Sequence, residues 1–240
     1  MSRITELTSW LSRSPLGWLT LTVCVWLAAD RIAAACGRHP LVNPLLISIV
    51  AIVAVLKATG TSYAAYLSGA QLLQFLIGPA VVALAVPLFK HWSTVKANAV
   101  PILLALPAGC VTALLTSVVM GRTLGMPDVV TYSLAPKSVT TGAAMAISQS
   151  FGGEPALTAT FTVSTSIIVA VAVVSLMRLL RVRNVAAIGF AAGLTGHSVG
   201  TARAFLIDPV AGTFAAIALC LNAILTAVIM WLLHSAKLGF

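Results

Sequence analysis

Charge is what this sequence has least of. Only 8% of its 240 residues are Asp, Glu, Lys or Arg, and 60% are hydrophobic, whereas soluble domains carry about 25% charge. With a mean hydropathy of +1.05, a water-soluble core is excluded. Strict apolar/polar alternation is also missing, which excludes a transmembrane β-barrel. Cysteines are few: Cys24, Cys36, Cys110 and Cys220 stand apart without metal-ligand spacing and read as small buried hydrophobes. The five acidic residues, Glu6, Asp30, Asp128, Glu154 and Asp208, avoid the middles of apolar runs, so no carboxylate ladder for cations is present. The net charge of +9 comes from bases at the ends of such runs (Arg31, Arg38, Lys90, Lys96, Arg178, Arg181, Arg183), where Lys and Arg flank membrane spans. No basic tail or aromatic-interleaved patch exists, so nucleic acid is not an expected partner. What remains is an all-α, polytopic transmembrane bundle in a lipid bilayer.

Eight apolar segments follow one another, over roughly 15–36, 41–57, 71–89, 97–121, 131–150, 155–180, 185–207 and 209–234. The whole chain, 1–240, reads as a single transmembrane domain preceded by an N-terminal cytoplasmic or interfacial segment, 1–14. That segment has a positive start but no small-residue cleavage site, so residues 16–30 are expected to be a retained first span. Pro101, Pro155 and Pro209 sit near the starts of their runs, where proline suits a first helical turn. Glu154 and Asp208 precede two of these helices and read as N-caps. If all eight segments cross the inner (cytoplasmic) membrane, the bases divide in favour of both termini in the cytoplasm; if a broken segment is re-entrant, the orientation of everything after it changes. A faint echo links "NPLLIS" (43–48) and the break at Gly78-Pro79 to "EPALTA" (154–159) and the glycine-rich break at 193–200. Paired broken helices mark binding sites in many transporters.

Three segments are not plain helices. Gly78-Pro79 frees backbone hydrogen bonds inside 71–89, so a kink or break is expected. "APKSVTTGAA" (135–144) and "GLTGHSVGTARA" (193–204) put charge and hydroxyls where a bland bundle would carry Leu and Val. An ionisable side chain in a span marks function by default, and Lys137 and Arg203 are the two bases not assignable to a helix end. The competing reading of Lys137 is snorkelling to an interface. Pro136 suits a helix start, and Ser138, Thr140 and Thr141 are able to cap the amides of a half-helix whose positive end attracts an anion. Gly193, Gly196 and Gly200 allow close approach of a ligand or, equally, of a neighbouring helix. His197-Ser198 raises nucleophilic catalysis, but neighbours on a regular helix point about 100° apart, and no GxSxG elbow appears. The chain is therefore not expected to be an enzyme, nor to hold a metal or cofactor.

These motifs carry a resemblance. "NPLLIS", "LIGPAVVALAVPLFK", "APKSVTTGAAMAIS" and "GHSVGTARA", in that order over about 40–235, resemble the LrgB/CidB family of bacterial membrane proteins. They are also similar to the LrgB-like domain of plastid glycolate/glycerate translocators. The resemblance implies transport of small monocarboxylates such as glycolate, glycerate or pyruvate. It also implies a rival role as a holin-like pore or a regulator of murein hydrolases and lysis, with an LrgA/CidA-type membrane partner. Homodimers are the family-style expectation. The family's Lys, Ser and Thr fall on Lys137, Ser138, Thr140 and Thr141, and its His and Arg on His197 and Arg203. Ser198, Gly200 and Thr201 belong to the same second stretch. Asn43 and Gly78-Pro79 are expected to line the cavity from the other half. The chain departs from the family pattern at Gly142, in place of proline, and at Ala146, in place of glutamate. It also lacks an acidic pair after Arg203, where it runs Phe205-Leu206-Ile207-Asp208. Uniport, or coupling through His197 or Asp208, then gains weight.

Overall fold

The computed structural model describes residues 15–39 and 42–235, which form helices and turns without strands. Segment 1–14, with Arg3, Trp10 and Arg13, and also Lys237 lie outside the described residues. Among the described residues four helices, Leu16–Ala35, Ala99–Thr123, Pro155–Leu179 and Pro209–Ser235, are long and apolar enough to cross a membrane, or five if one bent pair is counted as a span. The protein is a multi-pass membrane protein. Its chain divides into two compact units, 1–83 and 84–240.

Unit 1 contains α1 (Pro15–Ala35), α2 (Pro44–Thr59) and α3 (Tyr63–Ala83). Asn43 caps α2 by accepting the Leu45 amide at 2.9 Å, and Gly60 ends it at φ 64°, a left-handed conformation that suits glycine. Trp18 is buried and meets the edge of Tyr66 at 5.8 Å, so its indole is internal rather than interfacial. Between Tyr63–Leu73 and Gly78–Lys90 the helix axis bends by 41°. The break expected at Gly78-Pro79 is thus a bend just ahead of them, with Pro79 still inside α3.

Unit 2 opens with the short α4 (Ala85–Lys90) and α5 (Trp92–Ala97) and is framed by three long helices, α6 (Ala99–Thr123), α9 (Pro155–Leu179) and α11 (Pro209–Ser235). The local signals at their starts act as read. Glu154 accepts the Ala156 amide at 3.4 Å and Asp208 accepts the Val210 amide at 2.7 Å, each with proline next. Helices α6 and α11 are neighbours, joined by Cys110 and Thr226 at 3.3 Å and by a core of Ile102, Leu106, Phe214 and Ala218.

The segments between these frames fold back on themselves. Helices α7 (Asp128–Leu134) and α8 (Thr141–Ser150) are separated by a turn at 135–140. A Cβ added at Gly153 would meet both Ser133 and Ser148, so these two serines lie side by side. The pair is a helical hairpin with its tip at Pro136–Thr140. Its base is at the C-terminal end of α11, where Phe151 and His234 pack ring to ring at 5.2 Å.

Helix α10 (Val185–Ile207) hides a second hairpin. At His197 the backbone takes φ 35°, ψ −126° and leaves the helical region. Gly200 then packs so tightly on the Ala192 carbonyl that a Cβ would strike it. A straight helix would hold those residues about 12 Å apart. Gly189 and Gly193 abut the backbone of Ala211 and Ala215 in the same way. The constant offset between partner numbers means that the first half of α10 runs parallel to the start of α11. The second half therefore runs back, and the base of this hairpin lies at the N-terminal end of α11. The two hairpins enter from opposite ends. Segments 131–150 and 185–207, read as broken or re-entrant, reverse direction at a turn that begins with Pro136 and at His197. Each hairpin is followed by an acidic residue, a proline and a long helix.

Candidate functional site

Asn222 stands at the middle of α11 and joins the two tips. Its side chain is 1% exposed, and its amide nitrogen donates to the Ser138 carbonyl at 3.0 Å and the Leu194 carbonyl at 3.1 Å. Both acceptors need a partner for local reasons. Leu194 sits in the last turn before the reversal at His197, where helix carbonyls run short of amide partners. Ser138 lies in the turn between α7 and α8, where no ladder serves it. In a bilayer an unsatisfied carbonyl costs several kcal/mol, and one polar side chain removes two such debts.

The tip of the second hairpin is held through His197, 2% exposed. Its Nε2 is 3.1 Å from the Thr162 carbonyl of α9, which only accepts, so the ring proton is on Nε2. Nδ1 then accepts the Ser198 hydroxyl at 3.1 Å. This corrects the expectation that neighbours so placed fail to meet: it assumed a regular helix, and the backbone is irregular at His197. Ser198 itself is exposed, Gly200 is committed to the Ala192 contact, and Thr201 is buried with a hydroxyl that finds no partner. Arg203 is half-buried on the returning half. The glycines Gly193, Gly196 and Gly200 face the Ala215 backbone, the Val169 side chain and the Ala192 carbonyl, so close packing is what they provide.

At the first tip Lys137 is half-buried and donates to Ser117 of α6, whose hydroxyl in turn donates to the Ala113 carbonyl at 2.7 Å. Its partner is neutral, so the ammonium charge is not cancelled. The half-helix starts later than Pro136 and Ser138, which are buried in the turn; α8 begins at Thr141. Thr140 occupies the N-cap with the extended backbone usual there (φ −54°, ψ 138°), but contrary to expectation its side chain makes no capping bond. The first helical bond is Ala144 to the Thr140 carbonyl at 2.8 Å. The amides of Thr141, Gly142 and Ala143 are therefore left over by the helix.

Behind both hairpins runs a stripe of buried hydroxyls on α9, at Thr158, Thr162 and Ser166, spaced for one helical face. Thr158 donates to Ser148 at 2.7 Å and ties α9 to α8. Asn43, Gly78 and Pro79 belong to unit 1 and have the places described there. Sequence reasoning missed Asn222, Ser117 and Thr162. The first had a signal: a lone asparagine at the centre of a 27-residue apolar helix.

A family profile described as the LrgB-like family matches residues 22–235. An uncharacterized Bacillus subtilis protein, YwbG, is 35% identical over 210 residues, covering 87% of this chain and 92% of its own. A second, YxaC, is 30% identical over 222 residues, covering 90% and 95%. Antiholin-like protein LrgB of Bacillus cereus is 28% identical over 190 residues, covering 79% and 83%. No solved structure matches.

Proposed function

The chain belongs to the LrgB-like family, and from that premise we propose that it carries small monocarboxylates, of the glycolate, glycerate or pyruvate type, across the membrane. One observation supports this reading most: two hairpins from opposite ends bring their tips together at the centre of a long apolar helix. Broken helices at that depth place backbone amides where a continuous bundle has none. In the proposed site Lys137 supplies the charge that draws a carboxylate. The free amides at the start of α8, with Ser138, Thr140 and Thr141, orient it. Arg203 offers a second, bidentate contact, and His197, Ser198, Gly200 and Thr201 shape the facing tip. Access alternates as one hairpin, then the other, withdraws from α11.

The test is uptake of labelled glycolate and pyruvate into proteoliposomes. Saturation and counterflow are expected for the wild type, and losses of at least tenfold for Lys137→Met and Arg203→Met, since a paired ionic contact is worth about 1.5–3 kcal/mol. Wild-type rates in both variants would sink the site.

A second reading is favoured by the printed name of the Bacillus cereus relatives, antiholin-like. On this reading the chain regulates a holin-like pore and murein hydrolase release together with an LrgA/CidA-type partner. Flux that never saturates, or that appears only with such a partner, supports it.

The proposed membrane is the cytoplasmic one, and the hairpins alter its expected topology. Arg178, Arg181 and Arg183 gather at the C-terminal end of α9, while Arg122 ends α6 beside the first hairpin's base. The positive-inside rule puts the arginine cluster, and with it the base of the second hairpin, in the cytoplasm. The C-terminal end of α11 then faces outward, the reverse of the placement read from eight crossings.

A further inference from the structure

Asn222 has one polar atom that the fold does not use. Its amide nitrogen faces two carbonyl oxygens, Ser138 and Leu194, so the side chain has a single orientation; flipping it would set oxygen against oxygen. Oδ1 is thereby fixed, and it is buried without a hydrogen-bond partner. A buried acceptor left this way is costly, and it lies where the tips of both hairpins converge. We propose that Asn222 is a specificity-determining residue of the transport site, whose Oδ1 accepts a hydrogen bond from a donor group on the bound solute. Resting on the transport reading, this narrows the solute: besides its anionic end it carries an O–H or N–H, which a 2-hydroxy acid has and the matching 2-keto acid lacks.

The same side chain also tethers the two tips, so a variant disturbs both roles. Discrimination separates them: loss of tethering lowers transport of every solute alike, whereas loss of the acceptor removes a preference. The experiment compares lactate with pyruvate, which differ at this one group, as transport efficiency in proteoliposomes of the full chain and as half-saturating concentration in a thermal-shift titration of the purified protein. Wild type is expected to favour lactate by about tenfold or more, and Asn222→Ala to bring the ratio close to one. Should Asn222→Ala fail to fold, Asn222→Ser keeps one donor for a tip carbonyl while its oxygen, one bond closer to the backbone than Oδ1, falls short of the solute, so the preference is expected to be lost likewise. A wild type that moves both acids equally, or a variant that keeps the preference, overturns the role of Asn222 and leaves the transport reading standing. A wild type that neither binds nor moves either acid overturns the role of Asn222, and one that also leaves glycolate outside overturns the transport reading with it.

Discussion

Replacing Gly193 with alanine tests the second hairpin most directly. A Cβ at Gly193 would run into the carbonyl and Cα of Ala215, which are backbone atoms with no rotamer to yield. The half-helix must then step away from α11, carrying the Leu194 carbonyl off Asn222. Overpacking of this kind costs about 1–3 kcal/mol. At about 2–4 °C per kcal/mol for a chain of this size, the melting temperature in detergent should fall by about 2–12 °C. Gly142→Ala is the matched control. Gly142 lies in the first turn of α8 with nothing near the position of an added Cβ, so the usual helix advantage of alanine over glycine, about 0.5–1 kcal/mol, should leave the protein as stable or slightly more so. The assay is a tryptophan-fluorescence melt of both variants beside the wild type. If Gly193→Ala melts at or above the wild type, the parallel packing of the first half of α10 on α11, and with it the hairpin, is wrong.

Two further outcomes are expected. His197→Ala strips the Thr162 carbonyl of its donor and removes the ring bonds that hold a strained backbone, so a loss of about 1–3 kcal/mol should appear in the same melt; an unchanged melt would contradict the bonding at this tip. Cysteine scanning in a cysteine-free background reports topology: Ser235→Cys should react with an impermeant maleimide in intact cells and Arg183→Cys only after permeabilisation, and the opposite pattern would invert the orientation.

Much of this architecture was readable because its signals are local. Glu154-Pro155 and Asp208-Pro209 announce the starts of α9 and α11 through chemistry confined to one turn, and both behave as read. The motif around Lys137 was visible because charge is expensive among apolar neighbours. A break near 193–200 was legible from its glycines and polar side chains, but the full reversal at His197 was not, since the turning residue is not glycine. Positive φ in a histidine leaves no trace in composition; it depends on Thr162, thirty-five residues away. The role of Asn222 escaped for the opposite reason. Its solitude in α11 was plain, but its two acceptors come from distant turns that only folding brings to it.

The hairpins also constrain how the protein is made. Each half of α10 is about half the length needed to span the hydrocarbon, so neither half is a segment that an insertion machinery would accept and release into lipid. The exposed carbonyls at their junction forbid waiting in the bilayer unpaired. Yet the groove that receives this hairpin, at Ala211 and Ala215, and the amide that caps it, at Asn222, are translated after it. The second hairpin must therefore stay at the membrane surface until α11 has been threaded, and dock from that side as one of the last events of assembly.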